Sequence, residues 1–426
     1  MAEFSDKMSR NDIKAFQWKR LKSMIEYVYN NSPHYRKLLE EKNLKPEVFK
    51  TLEDFAKKFP FTKKYELMES QKNNPPFGDF LAAPREKIKT VFVSPGPIFE
   101  PHTEKDEETM ANICAYIFSF TGVKPGSIAQ VTFSYHLVPA GWFLHEGLKK
   151  AGCIVIPAGV GASKDQLDIM RRCKVTIFGG TPSFLGRIKD VAKETGVDTK
   201  KDLSLRIGIF GAEPLPPSLR KELHEAFGVE AFDFYGVAEV GVVCGECEKH
   251  QGWHIAENYY LVEILDPVTG EILGPGEQGE IVISQLEREA MPLIRYGTGD
   301  ASMLNEETCE CGRTLARLMG WLGRTDISLK VKGIFIHPKQ VETVIARHPE
   351  IGKFQIIVER PQRFDVMTVK AEYKPTVTDV EGLKAKLAAD LRDTLRIDIA
   401  VDLVKEGTIP PDAKLVEDRR ILKTYG

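Results

Sequence analysis

Five short runs rich in β-branched residues, Thr90–Val93, Gln130–Phe133, Cys153–Ile156, Val175–Phe178 and Arg206–Phe210, alternate with helical segments such as 106–120, 163–172 and 217–227. Strands separated by helices cannot pair as hairpins, so the alternation predicts an α/β chain with a parallel sheet covered by helices. The helix at 217–227 is punctuated at both ends, by Pro216 and Pro217 and by Gly228. Proline suits a first turn that needs no N–H bond, and glycine accepts the left-handed conformation that ends a helix. Upstream, Phe16, Leu21, Ile25 and Val28 lie at helical spacing within 12–31 and predict an amphipathic packing helix. Helical pattern continues to about Met68 and breaks at Asn73–Gly78. Residues 259–285 predict a small β-rich subdomain with strands at Leu261–Leu265 and Gly279–Ile283. Beyond Asp326 a separate α+β pattern begins, with strands at Ile327–Lys332, Lys353–Glu359, Asp365–Tyr373 and Ala400–Val404 and helices at Pro338–Arg347 and Val380–Leu395.

A chain of 426 residues exceeds one ordinary core. The expected organisation is a large N-terminal domain over 1–322 with mostly parallel sheets, including a helical lead-in over 1–85, and a small mobile C-terminal α+β lid over 327–426. The glycine-bearing stretch Gly320–Asp326 supplies a hinge at 323–326. Lysine plus arginine (59) nearly balances aspartate plus glutamate (61), so no global field recruits nucleic acid or a membrane surface. A small-molecule partner is expected, and a homodimer is left open. No apolar run approaches the roughly 20 residues of a membrane span, and the first 25 residues are mixed polar and charged. These features predict a soluble cytoplasmic protein. Seven cysteines at uneven spacing suit reduced thiols or metal ligation better than a disulfide framework.

Twice the chain runs an apolar strand into a glycine turn carrying a carboxylate, as Ile207–Pro214 with Gly211, Ala212 and Glu213, and as Phe232–Glu239 with Asp233, Phe234, Tyr235 and Gly236. Ligands bind at the carboxyl ends of strands in open parallel sheets, and glycine there lets backbone approach them closely. A third turn, Ile294–Asp300, offers a carboxylate able to grip both hydroxyls of a ribose, and a fourth piece runs from Gly323 to Pro338, followed by a helix carrying Glu342.

Together these four pieces resemble the adenylate-forming superfamily of acyl-CoA synthetases, and more narrowly the phenylacetate-CoA ligase family. The resemblance spans nearly the whole chain, including Asn31–Tyr35, Phe59–Lys63, Gly147–Pro157 and Gly407–Pro410. It implies an AMP-forming acid–thiol ligase that activates an aryl or arylacetic acid with ATP and Mg²⁺ and transfers the acyl group to coenzyme A. It further implies that Gly211, Ala212, Glu213 and Pro214 hold the adenine, flanked by Asp233, Phe234, Tyr235 and Gly236, with the Tyr235 ring on the base. Glu239 brings Mg²⁺ to the phosphates, Asp300 takes the ribose hydroxyls and Arg324 contacts ribose or phosphate. Asp326 is the pivot about which the small domain turns. Lys414 is the adenylation lysine, with Lys423 as the alternative. The acyl pocket falls to Tyr135, His136, Trp142, Phe143, Gly179, Gly180, Thr181, Pro182, Ser183, Val237 and Ala238, whose aromatic members suit either an aryl ligand or a core.

Two segments depart from the family pattern. A phosphate loop depends on N–H donors and hydroxyls, yet Ser94–Pro101 contains Pro95 and Pro97, which lack N–H groups, one hydroxyl at Ser94, and Glu100 with a charge of the wrong sign. Ala413 stands where glycine precedes the lysine. An adenylation-deficient binder of AMP or acyl-CoA, acting as a sensor or accessory protein, therefore stands as the alternative, as does an amine or carrier-protein thiol as acceptor. Cys247, His254, Cys309 and Cys311 make a tetrahedral thiolate–imidazole set suited to structural Zn²⁺, with Cys309 and Cys311 in a tight knuckle. Cys244 is a free neighbour or substitute ligand, and His250 a weaker substitute.

Overall fold

The computed structural model describes residues 4–266, 269–325, 329–331, 334–336, 338–361, 365–395 and 397–420. The chain divides into two compact units, one ending at Gly323 and the next beginning at Arg324.

In the first unit, strands Ile154–Ile156, Ile128–Val131, Ile177–Gly180, Ile207–Phe210 and Glu230–Val237 lie side by side in that spatial order, each pair parallel. Strand Ile177–Gly180 is buried along its whole length, as expected of a parallel strand covered on both faces. Phe178 and Phe210 on the sheet pack with Leu185 and Ile188 of helix Pro182–Glu194 and Leu223 of helix Pro217–Phe227. Gly228 ends the latter helix in the left-handed region at φ 70°. The sheet continues antiparallel through Gly241–Gly245, Trp253–Ile255, Arg317–Leu318, Tyr296–Asn305, Gln278–Gln285 and Tyr260–Leu265. The last two strands are those expected within 259–285.

One strand expectation is corrected. The run at Thr90–Val93 is no member of the parallel sheet. Ile88–Ser94 pairs antiparallel with Ile98–Thr103 as a two-stranded hairpin, because Ser94-Pro-Gly-Pro97 reverses the chain before a crossover can form. Helix Glu104–Ser119 follows directly, capped by Thr103, whose hydroxyl accepts from Asp106 N while Asp106 accepts from Thr103 N. The N-terminal helix runs Arg10–Asn31, and its buried stripe is Ile13, Gln17, Leu21, Met24, Ile25 and Val28. Phe16 sits at the edge of that stripe, half-buried against Phe4.

The second unit has its own four-stranded sheet, ordered Ala400–Lys405, Val366–Tyr373, Ile351–Glu359, Val416–Asp418. Helix Val380–Leu395 buries Leu387, Leu391 and Leu395 against Ile356, Val358 and Val369. The edge strand Val416–Asp418 escapes sequence reasoning, since three residues carry no alternation. Among the described residues no helix is long and apolar enough to cross a membrane.

Candidate active site

The carboxyl ends of the central strands form one rim, with Val131 opposite Gly179, Gly180 opposite Phe210, and Phe210 opposite Asp233. Past Phe210 the chain turns through Gly211 and Ala212, the latter at φ 67°. A Cβ at Gly211 would stand 2.7 Å from the Phe234 ring, so glycine is required for this turn to close over the next strand. Glu213 points back along the rim and accepts a hydrogen bond of 2.6 Å from Ser183 N, in the first turn of helix Pro182–Glu194. A carboxylate is favoured there, because the first turn leaves N–H groups without helical partners. This bond ties the turn at Gly211–Pro214 to the turn at Gly180–Ser183. Two residue sets assigned separately from sequence, to nucleotide and to acyl group, thus become neighbours.

Asp300 is presented by strand Tyr296–Asn305. Its Oδ2 accepts from the Tyr235 hydroxyl at 2.8 Å and its Oδ1 from Trp321 Nε1 at 2.9 Å. Each oxygen keeps lone-pair capacity for a further donor. Tyr235 is buried, its ring parallel to Trp253 at 5.8 Å. Burial and the Asp300 charge push its hydroxyl well above the usual range, fixing it as a donor. Asp233 is buried, and its carboxyl is driven upward by burial and by Glu246. Its N–H donates to Glu246, whose carboxylate is clasped by Arg220.

Glu239 is 3% exposed. It forms an ion pair with Lys64 and accepts from the Tyr296 hydroxyl at 3.3 Å. Burial works to raise its pKa, but Lys64 and the hydroxyl outweigh it, so the carboxylate stays charged. Lys64 begins helix Lys64–Asn73, which follows strand Thr62–Lys63, itself paired with Tyr296 and Gly297. Sequence reasoning missed Lys64. The lysine doublet after Phe59-Pro-Phe-Thr62 was its only signal.

The hairpin departs from a phosphate cradle more than its sequence suggests. Gln71 clamps it, donating to Phe99 O at 2.7 Å and accepting from Phe99 N at 2.9 Å. Arg288 donates to Pro101 O at 2.8 Å. Glu100 is fully buried beside Glu239. The Ser94 hydroxyl lies against it and lowers its pKa, yet neither Glu100 oxygen nor Ser94 Oγ makes a hydrogen bond of ordinary geometry. Burial first, and then the Glu239 charge, push the Glu100 carboxyl up to about 8.

Of the expected acyl-pocket residues, Tyr135 and Trp142 cluster, joined by His145, which sequence reasoning did not select: Tyr135 Oη is 3.2 Å from His145 Nδ1 and its ring is edge-on to Trp142. Phe143 instead packs inward against Phe92 and His102. His136 is exposed, and Leu137 beside it holds φ 61°. Thr181 stands at the N-cap position of the helix started by Pro182, its side chain making no capping bond. Val237 and Ala238 lead into Glu239 at the end of strand Glu230–Val237. Arg324 opens the second unit, and Lys414 lies exposed within it, just before its edge strand. Asp326 and Lys423 lie outside the described residues.

Cys247, His254, Cys309 and Cys311 bring four donor atoms within 4.8 Å of one another. Cys247 Sγ is 3.9 Å from Cys309 Sγ, and Cys311 Sγ 3.4 Å from His254 Nε2. Neither substitute ligand offered by the sequence joins this group. Cys244 is buried in strand Gly241–Gly245 and is outside this group, and His250 is engaged by Glu230, Glu246 and Arg220.

The AMP-binding enzyme family model matches residues 108–287, and that of the AMP-binding enzyme C-terminal domain matches residues 333–420. Phenylacetate-coenzyme A ligase of Thermus thermophilus is 34% identical, with 95% of each chain covered. That of Aromatoleum evansii is 34% identical over 97% of this chain and 96% of its own, and that of Escherichia coli 32% identical over 94% and 93%. Among solved structures, 2-hydroxyisobutyryl-CoA ligase with its acyl-AMP and CoA superposes with a TM-score of 0.87 at 26% identity, covering 97% of this chain and 91% of the other.

Proposed function

The chain belongs to the phenylacetate-CoA ligase family of AMP-binding enzymes, and from that membership we propose how its residues divide the work. The protein is an AMP-forming acid–thiol ligase. A carboxylate oxygen attacks the α-phosphorus of ATP with loss of pyrophosphate. The thiol of coenzyme A then attacks the acyl carbon, and AMP leaves with the bonding electron pair. The observation that carries this reading is the bond from Ser183 N to Glu213, which joins the nucleotide turn to the acyl turn. An acyl-adenylate has to span those two turns.

Asp300, oriented by Tyr235 and Trp321, receives the ribose hydroxyls. Gly211 to Pro214 line the adenine edge, with Asp233, Phe234, Tyr235 and Gly236 beside it and Arg324 reaching ribose or phosphate. Glu239 is an oxygen donor kept ionised in a buried site, a fit for Mg²⁺. When bound, Mg²⁺ would supply positive charge at the phosphates. Lys414 neutralises charge between the carboxylate and the α-phosphate, an electrostatic rather than acid–base role, and Asp326 is the pivot of the hinge at 323–326. The acid is aryl or arylacetic, a reading supported by the Tyr135–Trp142 pair and by the phenylacetate relatives. Cys247, His254, Cys309 and Cys311 fit structural Zn²⁺. Reduced thiols of this kind agree with a cytoplasmic setting.

Exchange of labelled pyrophosphate into ATP across a panel of carboxylic acids tests this. Arylacetic acids are expected to give the fastest exchange and, with coenzyme A, a thioester detected by mass spectrometry. Lys414→Ala is expected to reduce exchange by about 10²-fold or more. No exchange with any acid would overturn the proposal.

A further inference from the structure

We propose that Glu100 is a second protein carboxylate for the divalent cation held by Glu239, so that the protein binds this cation before any nucleotide arrives. The inference rests on the assignment of Glu239 as the cation's ligand and adds to it a residue whose sequence signal pointed the other way.

Two acidic side chains are buried together at this place. Glu100 and Glu239 are both buried, at 0% and 3% exposure, and lie close enough to act on each other. Lys64 supplies one ammonium, which pairs with Glu239 and also acts on Glu100. Arg288 is the other nearby cation: its charge also acts on Glu100, while its guanidinium bonds Pro101 O and His102 Nδ1, lies 3.8 Å from Asp106 and leaves Nε without a hydrogen bond. Both Glu100 oxygens and Ser94 Oγ, 2% exposed, are left without a well-formed bond. Buried polar atoms without well-formed hydrogen bonds are costly whatever their charge, so atoms left in this state mark a place for something absent. Three hard oxygen donors beside a carboxylate already suited to Mg²⁺ describe a divalent-cation site, its remaining positions open to water or phosphate.

The hairpin supplies the second, independent argument. Pro95 and Pro97 remove N–H donors that would otherwise meet a polyphosphate. A carboxylate facing phosphate directly would repel it, whereas a cation between the two reverses that sign. In this chain the cation therefore replaces loop donors as the grip on the phosphates, and Glu100 is a binding residue rather than a defect.

Titration of Mn²⁺ into the full chain without nucleotide, followed by the paramagnetic resonance of the free ion, tests this directly. One site per chain is expected, weakened at least tenfold by Glu100→Gln and by Glu239→Gln and unchanged by the surface variant Glu225→Gln. Calorimetric binding of AMP by Glu100→Gln checks that the variant is folded. Equal Mn²⁺ affinity in Glu100→Gln and the unmutated protein would overturn the inference, as would no nucleotide-free site. Pyrophosphate exchange separates the two readings. A protein that exchanges but shows no nucleotide-free Mn²⁺ site disproves the role of Glu100 alone. Absence of exchange with every acid disproves the parent reading, while the Mn²⁺ affinities still decide Glu100.

Discussion

His34 shows how a single residue couples packing to pH. It stacks on Phe80 with centroids 3.7 Å apart at 18°, and burial pushes its pKa down to about 4, with Asp79 opposing and Lys37 assisting. In the unfolded chain the imidazole titrates near 6.5. Below that pH the unfolded state takes a proton that the folded state refuses, so stability falls as pH drops from about 6.5 toward 4. At pH 5 the loss is about 2 kcal/mol. Urea unfolding of His34→Gln and the unmutated protein at pH 7 and pH 5 measures it. The variant is expected to gain about 2 kcal/mol relative to the unmutated chain on going to pH 5, and an unchanged difference would refute the assignment. Residue-level legibility was uneven for a related reason. Glu239 sits in a turn just after Gly236, and Asp300 follows Gly297 and Gly299 in a segment expected as a turn that is instead a strand, so glycine announces both, whereas Lys64, Gln71 and Glu100 act through contacts set by tertiary placement. Nothing local marks Glu100 as inward-facing, so its sequence reads only as a misplaced charge.

Elements were legible where periodicity or punctuation was strong. The helices at Ser163–Arg172 and Pro217–Phe227 fall where the pattern puts them, and the four remaining runs of the parallel sheet fall within two residues of it, Gln130–Phe133 at Ile128–Val131 and Val175–Phe178 at Ile177–Gly180. The first run was misassigned because a strand's composition does not tell which partner it takes, and only the proline turn after Ser94 distinguished hairpin from crossover. The Cys309–Cys311 knuckle was legible for the opposite reason, that its spacing is its geometry. Gly312 at φ 84° closes it, with Gly312 N bonded to Cys309 O at 2.8 Å and Cys309 N to Arg313 O at 3.0 Å. Arg313 then lies over Phe120 at 4.4 Å and pairs with Asp6 at 2.9 Å, linking the knuckle to the N-terminal segment. If zinc fills this set, removing it by chelation takes away a ligand that binds only the folded chain. Occupancy at 1,000 times the dissociation constant contributes about 4 kcal/mol, so chelation should lower Tm by several degrees, on the order of 5–10 °C. Cys309→Ser should remove most of that sensitivity. Elemental analysis finding no zinc, together with an unchanged Tm after chelation, would refute it.

At the scale of the whole molecule the two units own separate cores. The large cluster built around Phe118, Val243 and Ile283 and the cluster around Phe178 and Phe210 draw only on residues before Gly323, while the cluster around Ile356 and Leu387 draws only on residues after it. A chain cut after Gly323 therefore keeps every buried apolar contact of its own cores and should unfold in one cooperative transition. It keeps the turns at Gly211–Pro214 and Gly180–Ser183 and the Tyr235–Asp300 pair, so it should still bind AMP in calorimetry. It lacks Arg324 and Lys414, and on the proposed mechanism the electrostatic stabilisation missing from adenylation corresponds to a loss of about 10²-fold or more in pyrophosphate exchange. Binding without exchange would separate adenosine recognition, a property of the sheet edge, from phosphoryl chemistry, which needs the second unit. Exchange at the full-length rate would instead place all the required charge within residues 1–323, leaving Lys64 as the foremost lysine to test.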